Sequence, residues 1–303
     1  MRCGCSQANL FIYLSAILVG FCASFKTSNA QTQAASPARI QVTSQSVKRQ
    51  INLAWRQAMF SQKIAGLVCL AELGRETDAK GLEVLQLRWI FRRSLSAFQK
   101  GDPTLGIPKE SNRDILNRLD DLKEVWKIKA DAMDNWAMSD ATAAPKVYKL
   151  SQQVLKSTEA AIKDMQQHYL GKELVTKPTL LAISNVGRLR MLSQRVVNEF
   201  CLIHSKVEPD DNKSKLKISI SDFESAMIAL TNGSAETGLE KPPAMIQDQL
   251  AKTAREFNIL KNTLAKALAG KPITEADLDI VEQQSTKVLL AADETIYVYE
   301  QLK

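Results

Sequence analysis

The chain repeats itself, and this internal repeat limits the possible folds more than any other feature of the sequence. Residues 51–63, INLAWRQAMFSQK, lie over residues 183–195, ISNVGRLRMLSQR, at an offset of 132. Near the end of each copy, residues 152–153 match residues 283–284 at an offset of 131, which indicates one deletion in a loop. The offset of 132 also superposes Cys69 on Cys201, Gly101 on Gly233 and Gly106 on Gly238. So many matches in register indicate two homologous copies.

Each copy contains four segments with helical periodicity, separated by short breaks rich in glycine, proline or small residues. No stretch alternates apolar and polar residues as strands do. The predicted helices cover 45–73, 80–100, 110–136 and 144–169 in the first copy and 178–206, 213–231, 241–269 and 274–301 in the second. We therefore predict an all-α fold of two tandem up-down four-helix bundles packed side by side, over residues 45–170 and 177–303.

The N-terminus is typical of an export signal. Arg2 precedes an apolar run over 10–23, and Ser28 and Ala30 are small residues at the two positions that a signal peptidase inspects. We expect cleavage after Ala30, which makes 1–30 a signal peptide, 31–44 a polar disordered leader and the product a periplasmic protein. The alternative is an uncleaved membrane anchor, although the apolar run is short for a membrane span.

Charge and composition argue against several classes of function. The net charge of +7 falls to +5 when residues 1–30 lose Arg2 and Lys26, and no dense basic block follows, so we expect no nucleic-acid partner. The two histidines, His168 and His204, lack the Glu-x-x-His and Cys-x-x-Cys-His patterns, so we expect neither a metal nor another cofactor. No serine or cysteine has a general base nearby in sequence, and we predict that the chain is not an enzyme.

Cys69 and Cys201 remain after cleavage, at equivalent positions on the first helix of each copy. That helix has a bulky aliphatic stripe and a second stripe of small residues, which lets another helix approach closely. Each cysteine lies eleven residues beyond the Ala58/Arg190 position and so within about 20° of the second stripe. If the two first helices pack in parallel about a pseudo-twofold axis, equivalent residues meet, which predicts a Cys69–Cys201 disulfide. The alternative is two separately buried thiols.

The first helix of the second copy carries a recognisable motif. Residues 187–195, GRLRMLSQR, preceded by Ile183, resemble the P-box of NarX-type nitrate sensor kinases and PilJ-type chemotaxis transducers, Asn-x-Ala-Gly-x-x-Arg-Met-x-Ser-x-Arg. The resemblance implies four-helix sensor bundles that pair through helix one and hold an anion such as nitrate between the paired helices. It places the motif glycine at Gly187 and the anion-binding arginines at Arg190 and Arg195.

Other interpretations of the arginines remain open. Arg190 could be a surface or interface arginine that pairs with a carboxylate. Arg195 has Glu199 four residues on, in position for an intrahelical ion pair. Arg56 and Arg188 are equivalent in the two copies, and they are either solvated or structural, or they add positive potential near the anion. We therefore take Arg190, Arg195, Gly187 and Arg56 as the candidate ligand-binding residues.

The first copy departs from the motif, with Trp55 in place of the glycine, Ala58 in place of the first arginine and Lys63 in place of the last. The family carries a membrane span and an output domain after the sensor, and none follows here, so we expect a separate membrane-bound sensor or transducer as the partner. The resemblance implies a periplasmic sensory or binding module for a small anion, nitrate or nitrite. The alternative is a degenerate sensor bundle that acts as a structural or protein-interaction scaffold without a ligand.

Overall fold

The computed structural model describes residues 40–302 and folds this part of the chain into eight helices. The expected signal peptide, 1–30, and residues 31–39 of the expected leader lie outside the described residues. The helices are α1 (Ser44–Glu72), α2 (Thr77–Lys100), α3 (Arg113–Ala137), α4 (Ala143–Gly171), α5 (Lys177–His204), α6 (Pro209–Asn232), α7 (Ala244–Leu268) and α8 (Glu275–Gln301). The predicted all-α fold of two helical bundles in tandem is confirmed.

Hydrogen bonds between side chains and the backbone fix the residues at which the first and the last helix begin. The Thr43 hydroxyl accepts from the backbone N–H of Ser46, while the Ser46 hydroxyl accepts from the backbone N–H of Thr43. Because of this cap α1 begins at Ser44, inside the segment 31–44 that was expected to be disordered. Thr274 and Asp277 form the same reciprocal cap at the start of α8.

Every predicted helix end lies within about one turn of the observed one.

Each bundle closes its four helices around an apolar core. In the first bundle α1 packs against α2 and α4, and in the second α5 packs against α6 and α8. Phe91 stacks on Trp126 in the first core and the equivalent Phe223 stacks on Phe257 in the second, each with 3.6 Å between ring centroids. The two copies therefore share one packing scheme. Among the helices of residues 40–302, none combines the length and the hydropathy that a bilayer crossing requires.

The last helix of each bundle has a register different from the one that the sequence suggested. Gln62 Nε2 donates to the carbonyl oxygen of Ser151 at 3.1 Å, and the equivalent Gln194 donates to that of Ser285 at 3.5 Å. Ser285 thus corresponds to Ser151 at an offset of 134. The same offset relates three buried pairs, Val147 and Val281, Val154 and Val288, and Ile162 and Ile296. The expected offset of 131 is wrong for this helix, because three extra residues separate the α7 core from the α8 core.

The two bundles meet where α1 and α5 run side by side in parallel, an interface that we call the seam. Equivalent residues face each other there at three levels: Trp55 against Gly187, Gly66 against Asn198 and Cys69 against Cys201. The levels extend over about 21 Å of helix. Cys69 and Cys201 form a disulfide with their Cα atoms 6.2 Å apart, which is the bridge that the sequence predicted. The seam is therefore a pseudo-twofold interface within one chain.

Replacing Cys69 and Cys201 together by serine should lower the free energy of unfolding by about 2–4 kcal/mol, because the bridge restricts the unfolded chain. The bridge joins residues 132 positions apart, so it closes a long loop. Urea denaturation of the wild type and the double variant, with and without reductant, measures the effect. Reductant should destabilise the wild type alone. Equal midpoints for the two proteins in oxidising buffer would contradict a structural role for the bridge.

Candidate functional site

Gly187, the motif glycine, makes room for the tryptophan that stands at its equivalent position on α1. A Cβ atom built on Gly187 would lie 2.5 Å from Trp55 Cγ and 2.6 Å from Trp55 Cβ, well inside van der Waals contact. Trp55 is buried in this contact. The pair is complementary because one helix supplies a large side chain and the other supplies none. In the structure Gly187 is therefore a packing residue of the seam.

Arg190 lies at the seam with its side chain fully buried. Its Nη1 atom forms an ion pair with Asp293 Oδ1 of α8 at 2.5 Å. Its Nη2 atom donates to Asn52 of α1, to Oδ1 at 2.5 Å and to the backbone oxygen at 3.3 Å. Burial lowers the pKa of Arg190 from its ordinary value, and the charge of Asp293 opposes that shift. Both terminal nitrogens of the guanidinium are thus bound by the protein itself.

Arg56 reaches the same carboxylate as Arg190. Its Nη2 atom lies 3.7 Å from Asp293 Oδ1, and its side chain is half exposed. Asn52, which accepts from Arg190, in turn donates to Glu300 Oε1 at 2.6 Å. Two of the four predicted ligand-binding residues, Arg56 and Arg190, are therefore brought together, and the group between them is Asp293.

Asp293 is not evident from the sequence repeat, because the matching glutamines align α8 with α4 in a register that differs from the structural one. At the structural offset of 134, Asp293 corresponds to Glu159 of α4, so both copies carry a carboxylate at this position. Arg56 and Arg188 are equivalent in the same way, one on each side of the seam. Desolvation raises the pKa of Glu159, and the charges of Arg188 and Arg195 oppose that rise. Arg56 thus pairs with a carboxylate of the other bundle, whereas Arg188 forms its ion pair with Asp222 of its own bundle.

Arg195 forms its ion pair within the second bundle. Its Nε atom donates to Glu199 Oε1 at 2.8 Å, four residues on in α5, which is the intrahelical pair that the sequence offered as the alternative. Ser219 of α6 donates to the same oxygen at 3.0 Å. Glu199 is almost fully buried, and burial raises its pKa to about 7. Arg195 therefore serves to neutralise a buried carboxylate in the core.

Gly187→Ala should destabilise the protein by about 1–3 kcal/mol, because the added methyl group overlaps the root of the Trp55 side chain. Gly81→Ala is the matched control: nothing lies within 4 Å of its added Cβ, and alanine should stabilise α2 by about 0.5–1 kcal/mol. Thermal or urea unfolding reports both changes. In a Trp55→Gly background, which removes the Trp55 Cβ as well as the ring, the cost of Gly187→Ala should vanish. An equal cost in both backgrounds would show that Trp55 is not the cause.

Glu199 should make the wild type less stable as the pH rises. Its folded pKa of about 7 exceeds the unfolded value of about 4.3, so its contribution is complete below about pH 4.3 and is lost as the pH rises through 7. Relative to Glu199→Gln, the wild type should lose on the order of 1–3 kcal/mol between pH 5 and pH 8. Urea unfolding at both values measures this. Glu294→Gln, which changes a half-exposed pair with Lys252, is the control and should leave the slope unaltered. Parallel pH profiles for wild type and Glu199→Gln would contradict the assignment.

Comparison with known proteins identifies the sequence family. The profile of the PilJ family, described as the N-terminal region of the type IV pili methyl-accepting chemotaxis transducer, matches residues 42–153 and 181–283. A search of the curated proteins found no match. Domains of this family are the periplasmic sensory domains of chemotaxis transducers. The two matches fall on the two bundles and together cover more than half of the chain, which therefore belongs to the PilJ family.

Proposed function

We propose that this protein is a periplasmic interaction module of the PilJ sensory type whose anion site is filled by its own Asp293. The observation that carries the proposal is the ion pair between fully buried Arg190 and Asp293. The guanidinium that the family resemblance assigns to an external anion is bound here by a carboxylate of α8 and by Asn52 of α1. The protein would then act as a protein-interaction scaffold without a ligand, which is the alternative that the sequence left open, and not as an anion sensor.

A free anion would have to compete with a carboxylate that the fold holds in place. A single charge-assisted hydrogen bond contributes about 1.5–3 kcal/mol, which by itself supports only millimolar or weaker affinity. Asp293 makes that contact without the loss of translational freedom that a dissolved ion suffers on binding. Removal of Asp293 from Arg190 would also leave a buried charge without its partner, which is strongly unfavourable. Nitrate at ordinary concentrations should therefore not displace Asp293.

A second candidate function is the binding of nitrate or nitrite, and one feature of the site favours it. The Nε atom of Arg190 is buried and has no hydrogen-bond partner among the described residues. Arg56 adds a second positive charge beside the single carboxylate. A small planar anion seated against Nε would satisfy that group. This function requires Arg190 to bind the anion while it keeps, or exchanges, its contact with Asp293.

The remaining parts of the proposal concern export and output. Cleavage after Ala30 would release the mature protein into the periplasm, where the disulfide is compatible with the oxidising environment. The PilJ-like copies, over 45–170 and 177–303, would then act on a separate membrane-bound sensor or transducer. The signal would pass through contact between proteins.

Nitrate-dependent thermal unfolding tests whether Asp293 fills the anion site. We expect nitrate and nitrite, compared with chloride at equal ionic strength, to leave the melting temperature of the wild type unchanged. Asp293→Asn should lower the melting temperature, because it leaves Arg190 buried without its counter-ion, and nitrate should restore part of the loss. The matched control is Asp222→Asn, which removes the 2.8 Å partner of half-exposed Arg188 and should show no nitrate effect.

Two outcomes would overturn the proposal. If nitrate stabilises the wild type and calorimetry shows binding that Arg190→Ala abolishes, the protein is an anion receptor. If nitrate stabilises Asp293→Asn and Asp222→Asn equally, the effect is a general response to the anion and Asp293 does not occupy a specific site.

A further inference from the structure

The outer side of the first bundle carries a groove between α2 and α3 that encloses about 600 Å³. Its floor consists of buried side chains, among them Leu95 and Trp126. Two large apolar side chains at its edge are left in solvent: Leu85 is 49% exposed and Trp89 is 56% exposed. A tryptophan exposed to this extent beside an apolar floor is the type of residue that dominates binding energy at protein interfaces. We call this feature the basic groove.

Positive side chains line both edges of the basic groove. Arg92 and Lys100 belong to α2, and Lys123 and Lys127 belong to α3. Within residues 40–302 none of these four forms an ion pair. Arg88, at the same edge, is already bound to Asp134 of α3. The cations that remain have no ion-pair partner among the described residues. Two carboxylates, Glu124 and Asp131, also line the groove, so the four unpaired cations exceed them by two and the field of the groove is net positive.

The second bundle shows that the fold itself does not need these residues. At the positions equivalent to Leu85, Trp89 and Arg92, α6 has Lys217, Ser221 and Glu224. Glu224 forms an ion pair with Lys261 of α7, which bridges the equivalent groove. The second copy thus folds without the exposed tryptophan and with an internal ion pair at these positions, although it exposes Ile228 at the position of Ser96. The difference points to a binding role in the first copy.

The dimensions of the basic groove suit a helix better than a small molecule. Its α2 edge runs from Leu85 to Lys100, about 22 Å or four helical turns. A helix laid between α2 and α3 would cover Leu85 and Trp89 with its apolar stripe and place its flanking residues beside the cations. We infer that the basic groove binds an amphipathic helix of a partner protein with acidic residues on both sides of its apolar stripe.

This inference deepens the proposed function, because it supplies the kind of contact through which an interaction module would act. The role of the groove in signalling rests on the proposed function, whereas the binding of a helix to the groove does not. The groove lies in the first bundle and shares no residue with the group around Arg190. The binding of an acidic helix and the binding of nitrate are therefore separate measurements.

A displayed peptide library tests the inference with defined probes. Each peptide is a helix of about four turns with leucine fixed at i, i+3, i+4 and i+7 and with Glu, Gln or Lys randomised at the flanking positions. The peptides are selected on the full mature protein and counter-selected on Trp89→Ser/Arg92→Glu, which substitutes residue types found in the second bundle. Ile228→Ser is the matched control, since Ile228 is exposed on α6 and its equivalent on α2 is Ser96.

We expect the enriched peptides to be rich in Glu at the flanking positions. A synthetic peptide of the enriched sequence should bind the wild type and Ile228→Ser equally and Trp89→Ser/Arg92→Glu at least about tenfold more weakly. Its affinity should fall with added salt. Circular dichroism checks that both variants are folded. Nitrate should not alter the affinity for the peptide, because the groove and the group around Arg190 share no residue.

Three results would overturn the inference: enrichment of basic or neutral peptides, no enrichment over the counter-selected variant, or equal peptide affinity for wild type and variant. Vesicles containing anionic lipid are a second probe. Vesicle binding that Trp89→Ser/Arg92→Glu abolishes would assign the groove to a membrane surface instead.

Discussion

The parallel contact between α1 and α5 is the constraint on which the rest of the structure depends. Each helix packs into its own bundle on one side and against the other helix on the opposite side, so nearly the whole circumference is buried. A polar group on the buried part of such a helix cannot turn to solvent, as half-exposed Arg56 and Arg188 do, and is stabilised by a partner inside the protein. Arg190 illustrates the consequence, since Asp293 and Asn52 come to it from two other helices. The family motif is retained in sequence, but its arginine is bound internally.

Fusion of the two copies in one chain also explains why the seam is asymmetric. In a homodimer a twofold axis places a residue against its own copy, so two tryptophans would overlap and two glycines would leave a void. Here Trp55 fills the space that Gly187 leaves. In the same way Arg190 stands on one helix and Ala58 on the other, which avoids two like charges in a buried interface. A single chain permits each side to diverge, and the disulfide keeps the complementary sides together.

The sequence predicted the helices well and the polar site poorly, for different physical reasons. Helix ends follow from local signals such as the Thr43 cap, and the disulfide follows from a repeat offset that holds throughout α1 and α5. The partner of Arg190 depends on the register of a helix more than a hundred residues away. Matching glutamines suggested an offset of 131 for α8, whereas buried apolar residues and the Gln194–Ser285 hydrogen bond require 134. An alignment of α4 with α8 by their buried apolar residues pairs Asp293 with Glu159, and it therefore identifies the carboxylate that binds Arg190.

The two bundles also differ in the charge of their residues. Residues 44–171 carry 20 basic and 15 acidic side chains, whereas residues 177–302 carry 15 basic and 17 acidic ones. The cores of the two bundles remain alike, as the stacked pairs Phe91–Trp126 and Phe223–Phe257 show. A change of surface charge on a conserved core alters which partners are attracted and leaves stability almost unaffected. The difference in charge between the bundles is therefore compatible with the contact proposed for the basic groove and is not required by the shared core.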